Sequence, residues 1–91
     1  MLEIVTTSWF NRDVRLAQRR GKDLAKLQTV IDLLAAEAPL PQACRDHALS
    51  GNFAGFRDCH IEGDWILIYR KVSGTLQLIL ARTGTHSDIF K

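Results

Sequence analysis

Residues 55–90, "GFRDCHIEGDWILIYRKVSGTLQLILARTGTHSDIF", decide the fold. Three runs within them are rich in β-branched, aromatic and other apolar residues: Gly55 to Ile61, Trp65 to Val72 and Thr75 to Arg82. Branched and aromatic side chains pack well on a pleated surface, so such runs favour extended backbone. Glu62-Gly63-Asp64 separates the first two runs and Ser73-Gly74 the second two, and both are tight-turn signals. The expected product is an antiparallel meander.

Toward the N-terminus, "PLPQACRDHALSGN" (residues 39–52) is polar and loop-like, and it carries His47. Before it, Leu24, Leu27, Val30, Ile31 and Leu34 recur at helical period behind Asp23, which can cap a helix, and Pro39 and Pro41 end it. Earlier still, Phe10, Val14 and Ala17 form one stripe and Arg12, Arg15 and Arg19 another. Ser8 stands where the N-cap belongs, and Gly21 closes this helix as a C′ glycine does. With only Gly21 and Lys22 between them, the two helices are expected to form an antiparallel hairpin whose apolar stripe covers the sheet. "LEIVTT" at the start reads as a short strand. The order is β-α-α-β-β-β, an α+β fold in which residues 1–91 form a single domain.

The composition, 46% apolar and 24% charged, is that of a globular chain. Its longest apolar run, Trp65 to Tyr69, is far short of the roughly 18 residues needed to span a bilayer. The start lacks the pattern of a signal peptide, so a cytoplasmic location is expected, with Cys44 and Cys59 reduced. The net charge of +2 is unevenly spread. Arg12, Arg15, Arg19, Arg20, Lys22 and Lys26 face only Asp13 and Asp23 between Trp9 and Leu27. This stretch is a solvated face or an RNA contact.

In a meander, the end of the first strand, the start of the second and the end of the third share one edge. His60, Asp64, Trp65, Arg82 and His86 are therefore expected to gather there. A two-residue Glu62-Gly63 turn would put His60, Trp65 and Arg82 in a row on one face, whereas a three-residue loop would turn His60 to the other. Two histidines can supply a general base and a general acid near neutrality, and arginine offers a planar fork of donors to phosphate. Such a set suits RNA cleavage by the strand's own 2′-hydroxyl, with no metal and no cofactor required. Each residue also has an ordinary reading: His60 and Arg82 as strand ends, His47 as a surface residue, Trp65 as packing. A zinc site is disfavoured because no histidine or cysteine pair has the usual ligand spacing.

"DHALSGNFAGFRDCHIEGDWILIYR" together with "RTGTHSDIF" resembles the YafQ branch of the RelE/ParE superfamily of bacterial toxins, over essentially the whole chain. The resemblance implies a RelE-like fold and a ribosome-dependent mRNA interferase that cuts mRNA in the ribosomal A site. It also implies a toxin that is monomeric when free and is neutralised by a cognate antitoxin of the RelB/DinJ kind. Carried over, the catalytic positions fall on His47, His60, Asp64, Arg82 and His86. His47 and His86 form the base and acid pair, in either assignment. His60 and Asp64 support them, Arg82 binds the scissile phosphate, and Trp65 and Phe90 shape the pocket or stack on a base. Arg12, Arg15, Arg19, Arg20, Lys22 and Lys26 become candidate ribosomal RNA contacts. Two departures stand out. Ala48 replaces a proline common after the loop histidine, which is expected to loosen His47, and Lys91 follows the terminal aromatic, with an expected effect on how Phe90 is held. Rival readings on the same fold are a ParE-like gyrase inhibitor and a non-catalytic RNA-binding module.

Overall fold

Strand β1 (Glu3–Thr6) leads into helix α1 (Ser8–Arg19), and α2 (Leu24–Ala35) follows. After a loop come β2 (His47–Ala48), β3 (Arg57–Glu62), β4 (Trp65–Val72), β5 (Gln77–Thr85) and a single helical turn, α3 (His86–Ile89). The computed structural model describes residues 1–90; Lys91, expected to bear on Phe90, lies outside the described residues. The five strands are ordered β1-β5-β4-β3-β2, with the β3-β4-β5 meander at the centre. β1 runs parallel to β5, and the two-residue β2 pairs antiparallel with β3. Neither β2 nor α3 was legible as an element, because each is too short to carry a period.

Local chemistry sets the helix ends. Thr7, not Ser8, is the first N-cap: its backbone is still extended, and its hydroxyl accepts from the Phe10 N–H while donating to the Ala81 carbonyl. Gly21, at φ +76°, closes α1, and the Lys22 N–H reaches back to the Ala17 carbonyl. Asp23 caps α2 by accepting from Ala25 N–H. That helix stops ahead of the prolines, because Glu37 turns left-handed at φ +55° and the Ala38 N–H closes on the Leu33 carbonyl.

The main core lies between the helices and one face of the sheet, where Phe10, Leu27, Ile31 and Leu34 meet Cys59, Trp65, Leu67, Tyr69, Leu78 and Leu80. Residues alternate along each strand. The opposite face therefore carries Asp58 and His60 of β3 and Ile66 and Ile68 of β4, the two isoleucines packed with Ile89, Leu49, Phe53, Phe56 and Ala81. Both cysteines are free and buried, and burial pushes the Cys59 thiol well above its ordinary range. Among the described residues no helix is long and apolar enough to cross a membrane.

Register corrects part of the expected edge. The β3–β4 turn is Gly63-Asp64, with Glu62 opposite Trp65, and an irregularity at Ile61 places His60 opposite Ile66. The β4–β5 connection uses residues 73–76, so Val72 pairs with Gln77. A bulge at Ala81 shifts the ladder once more, and Trp65 faces Thr85 while Arg82 faces Ile68. The row of His60, Trp65 and Arg82 therefore does not form. Arg82 sits three positions back from the edge, about 10 Å at strand rise.

Candidate active site

His86 opens α3 immediately beyond β5, and Asp64 occupies the β3–β4 turn beside it. The His86 Nδ1–H donates to Asp64 Oδ1 at 2.5 Å. With Nδ1 committed as donor, Nε2 is the atom left for proton exchange. It lies 3.7 Å from Asp58 Oδ2.

His47 arrives from the other side. Its Nδ1–H donates to the Arg45 carbonyl at 2.8 Å, and its Nε2 is 3.9 Å from the same Asp58 Oδ2. Three features hold it in place despite Ala48. Arg45 adopts a left-handed conformation at φ +46°, and His47 is paired across the ladder with Asp58. The neighbouring Asp46 is gripped by the Arg57 guanidinium and the Tyr69 hydroxyl. Burial and the adjacent Asp46 carboxylate push the Tyr69 phenol up, so it stays a donor.

Asp58 is the residue the sequence reading missed. It is 1% exposed, one of its oxygens has no hydrogen-bond partner, and the other is flanked by the two histidine Nε2 atoms. His60, two residues along the same face of β3, also has a buried Nδ1 without a partner, and its ring centroid is 5.5 Å from that of His86. Buried polar atoms are rarely left unmet, so two in one cluster single out this face as the candidate site. The available signal was strand alternation in "RDCHIE", which puts Asp58 on the His60 face.

The remaining expected residues divide. Phe90 is exposed and packs obliquely on His86, with centroids 5.9 Å apart, and edge-on against Phe53 at 5.3 Å. Trp65 is a correction: it is 1% exposed on the helix-covered face and donates its indole N–H to Thr83 Oγ1, so no base can reach it. Arg82 is held by Asp13 of α1, with Nε at 2.7 Å and Nη2 at 3.1 Å, because β1 ends before this point and leaves the strand edge open to the helix. Of the basic residues, Arg20 pairs with Asp88 and Lys26 with Glu62, while Lys22 sits 6.0 Å from the Trp65 ring centroid. Arg12 lies over the Trp9 ring, and Arg15 and Arg19 are exposed.

A capping box fixes α3. Thr85 Oγ1 accepts from the Asp88 N–H, and Asp88 Oδ2 accepts from both the Thr85 N–H and Arg20. The Arg20 guanidinium, helped by Thr85, lowers the Asp88 carboxyl to about 2. A depressed carboxyl stabilises the fold above its unfolded value and loses that contribution as pH falls through its folded one. Asp88→Ala is expected to melt below the parent protein at pH 6, with the gap closing as pH falls from about 4 to about 2. Thermal melts across that range check it.

Asp58, His60 and His86 each present a possible ligand atom within 4.8 Å of the others, and both cysteines lie apart from this cluster, on the core side. The same cluster can move protons: two imidazoles of defined tautomer face one carboxylate on an open sheet surface.

Known proteins place the chain as a whole in a family. A family model described as a bacterial toxin of a type II toxin-antitoxin system, YafQ, matches residues 2–91. The mRNA interferase toxin YafQ of Escherichia coli strain K12 is 43% identical over 89 residues, 97% of this chain and 95% of that protein. The toxin in the crystal structure of the E. coli DinJ-YafQ toxin-antitoxin complex is 42% identical, with a TM-score of 0.88 and coverage of 99% of this chain and 98% of that one. A metal-bound toxin from Helicobacter pylori is 38% identical with a TM-score of 0.93, covering 99% of this chain and all of that one. The fold, the match along nearly the whole chain and the level of identity agree: this chain belongs to the YafQ family of bacterial toxins of type II toxin-antitoxin systems.

Proposed function

We propose that this toxin is a ribosome-dependent endoribonuclease that cuts mRNA in the ribosomal A site through attack of the RNA 2′-hydroxyl on the adjacent phosphate. One observation carries the reading: the Nε2 atoms of His47 and His86 flank a single buried oxygen of Asp58. One imidazole takes the 2′-hydroxyl proton as the oxygen attacks phosphorus. The other gives a proton to the departing 5′-oxygen, leaving a 2′,3′-cyclic phosphate and a free 5′-hydroxyl. Either histidine fits either role. Asp64 holds the His86 tautomer, and Asp58 stabilises the imidazolium that the acid carries at the start and the base carries at the end. His60 supports the cluster from below, and Phe90 offers a face to a neighbouring base.

Arg82 keeps Nη1 free of a partner among the described residues, and through it the guanidinium meets the phosphate from the strand edge. Arg12, Arg15 and Arg19 of α1 supply the ribosomal RNA contacts, with Arg20, Lys22 and Lys26 at the flank. Every proton step is assigned to a side chain, so the reaction proceeds without a metal ion. A cation lodged among Asp58, His60 and His86 would occupy the nitrogen that catalysis needs. The site of action is the cytoplasm, where ribosomes are, and the partner that silences it is a cognate antitoxin, as DinJ is for the E. coli protein.

Expression in bacteria with and without the adjacent antitoxin gene, followed by mapping of mRNA ends, tests this. Cuts at a fixed phase of the reading frame, absent with antitoxin and unaffected by a zinc- and copper-selective chelator, are the expected result. Growth arrest with intact mRNA would overturn it.

A further inference from the structure

Trp9 is the most conspicuous feature that the mechanism leaves unused. It is 56% exposed at the start of α1, although exposing a tryptophan in water forfeits a large apolar surface. It is also held in place: the Arg12 and Arg82 guanidiniums lie 4.8 Å and 5.0 Å from its ring centroid, and Asp13 fixes Arg82 in turn. Trp9, Thr7, Phe53, Ala81 and Arg82 line a cleft whose walls are chiefly apolar. Phe53 is shared with the active site, since it touches Phe90 edge-on and Phe90 packs on His86. The cleft is thus one aromatic ring removed from the reacting groups.

We infer that this cleft is a subsite for an unpaired nucleobase of the RNA strand beside the scissile phosphate. The inference rests on the RNA-cleavage reading above and extends it to a second position on the strand. An aromatic and aliphatic slot suits a planar base, which carries its own π-face whatever its identity. The two guanidiniums at the Trp9 wall supply positive charge for the strand backbone that carries that base. A peptide segment would also welcome apolar walls, but paired arginines braced on an indole match a polyanion better.

Fluorescence reads the subsite directly, because the chain has two tryptophans and Trp65 is buried. Titrating the toxin with a tetranucleotide carrying 2′-O-methyl riboses, which cannot be cleaved, is expected to quench tryptophan emission saturably, and Trp9→Phe is expected to abolish the quench. In ribosome-programmed cleavage, Trp9→Ala should raise KM about tenfold with a smaller change in kcat, and Trp9→Phe should restore most of the loss. The fold tolerates both changes because Trp9 is exposed, and circular dichroism verifies this. If the parent protein cleaves and Trp9→Ala cleaves with unchanged KM, the subsite is wrong and the reaction stands. If Trp9→Ala loses antitoxin binding while its RNA kinetics are unchanged, the cleft belongs to a protein partner and the inference falls. If the parent protein cuts no RNA, the functional reading fails and takes the subsite with it.

Discussion

His86→Ala is expected to lower mRNA cleavage in a ribosome-programmed reaction by about 10²–10⁴-fold, the usual contribution of a positioned acid or base. The size follows from its place. Its Nδ1 is committed to Asp64 and its Nε2 faces Asp58, while the neighbouring His60, 5.5 Å away between ring centroids, has its Nδ1 buried. His47 approaches the same carboxylate from the opposite direction and cannot serve both halves of the transfer. The substitution removes a ring that is 42% exposed at the first position of α3, so the fold is expected to survive. The capping box that closes α3 uses Thr85 and Asp88, not His86. Binding of the antitoxin and melting temperature are therefore the controls, and both should remain near the parent values. Cleavage within a factor of three of the parent would remove His86 from the mechanism.

Asp58→Asn is expected to separate activity from stability. The two side chains share a shape, but asparagine carries no charge to stabilise an imidazolium, and cleavage should fall by about 10²-fold. Stability is expected to move the other way. A carboxylate that is 1% exposed with one oxygen unpartnered is costly to bury, and its neutral isostere should raise stability by about 0.5–2 kcal/mol. Urea unfolding of both proteins, alongside the cleavage assay, reads the two effects. A variant that lost activity and stability together would make Asp58 a structural residue instead.

The central meander and the helical hairpin were legible because hydrophobic period and turn residues mark them directly. Asp23 and Gly21 announce their caps, and Trp65 to Tyr69 announces a buried strand. Register was not legible. It depends on where a chain spends one extra residue: the irregularity at Ile61 moved His60 off Trp65, and the bulge at Ala81 with the four-residue 73–76 connection moved Arg82 away from it. Trp65 is core because it shares the helix-covered face of β4 with Leu67 and Tyr69, while His60, facing the other way, lies in the cluster. His47 was placed in a loop, yet two residues of pairing with β3 bring it to Asp58, a long-range contact that no local pattern encodes. The basic stripe was visible as a charge run, but its partition was not. Arg20 and Lys26 find carboxylates far along the chain, on Asp88 and Glu62, and only the folded arrangement reveals which cations are left for a polyanion.

The most direct measurement replaces the single ribose 5′ to the mapped cut with its 2′-deoxy form in an mRNA loaded on ribosomes. The mechanism predicts that cutting at that position stops while the all-ribose message is cut to a 2′,3′-cyclic phosphate and a 5′-hydroxyl. Continued cutting at the 2′-deoxy position would contradict it, since the attacking oxygen would then have to come from elsewhere.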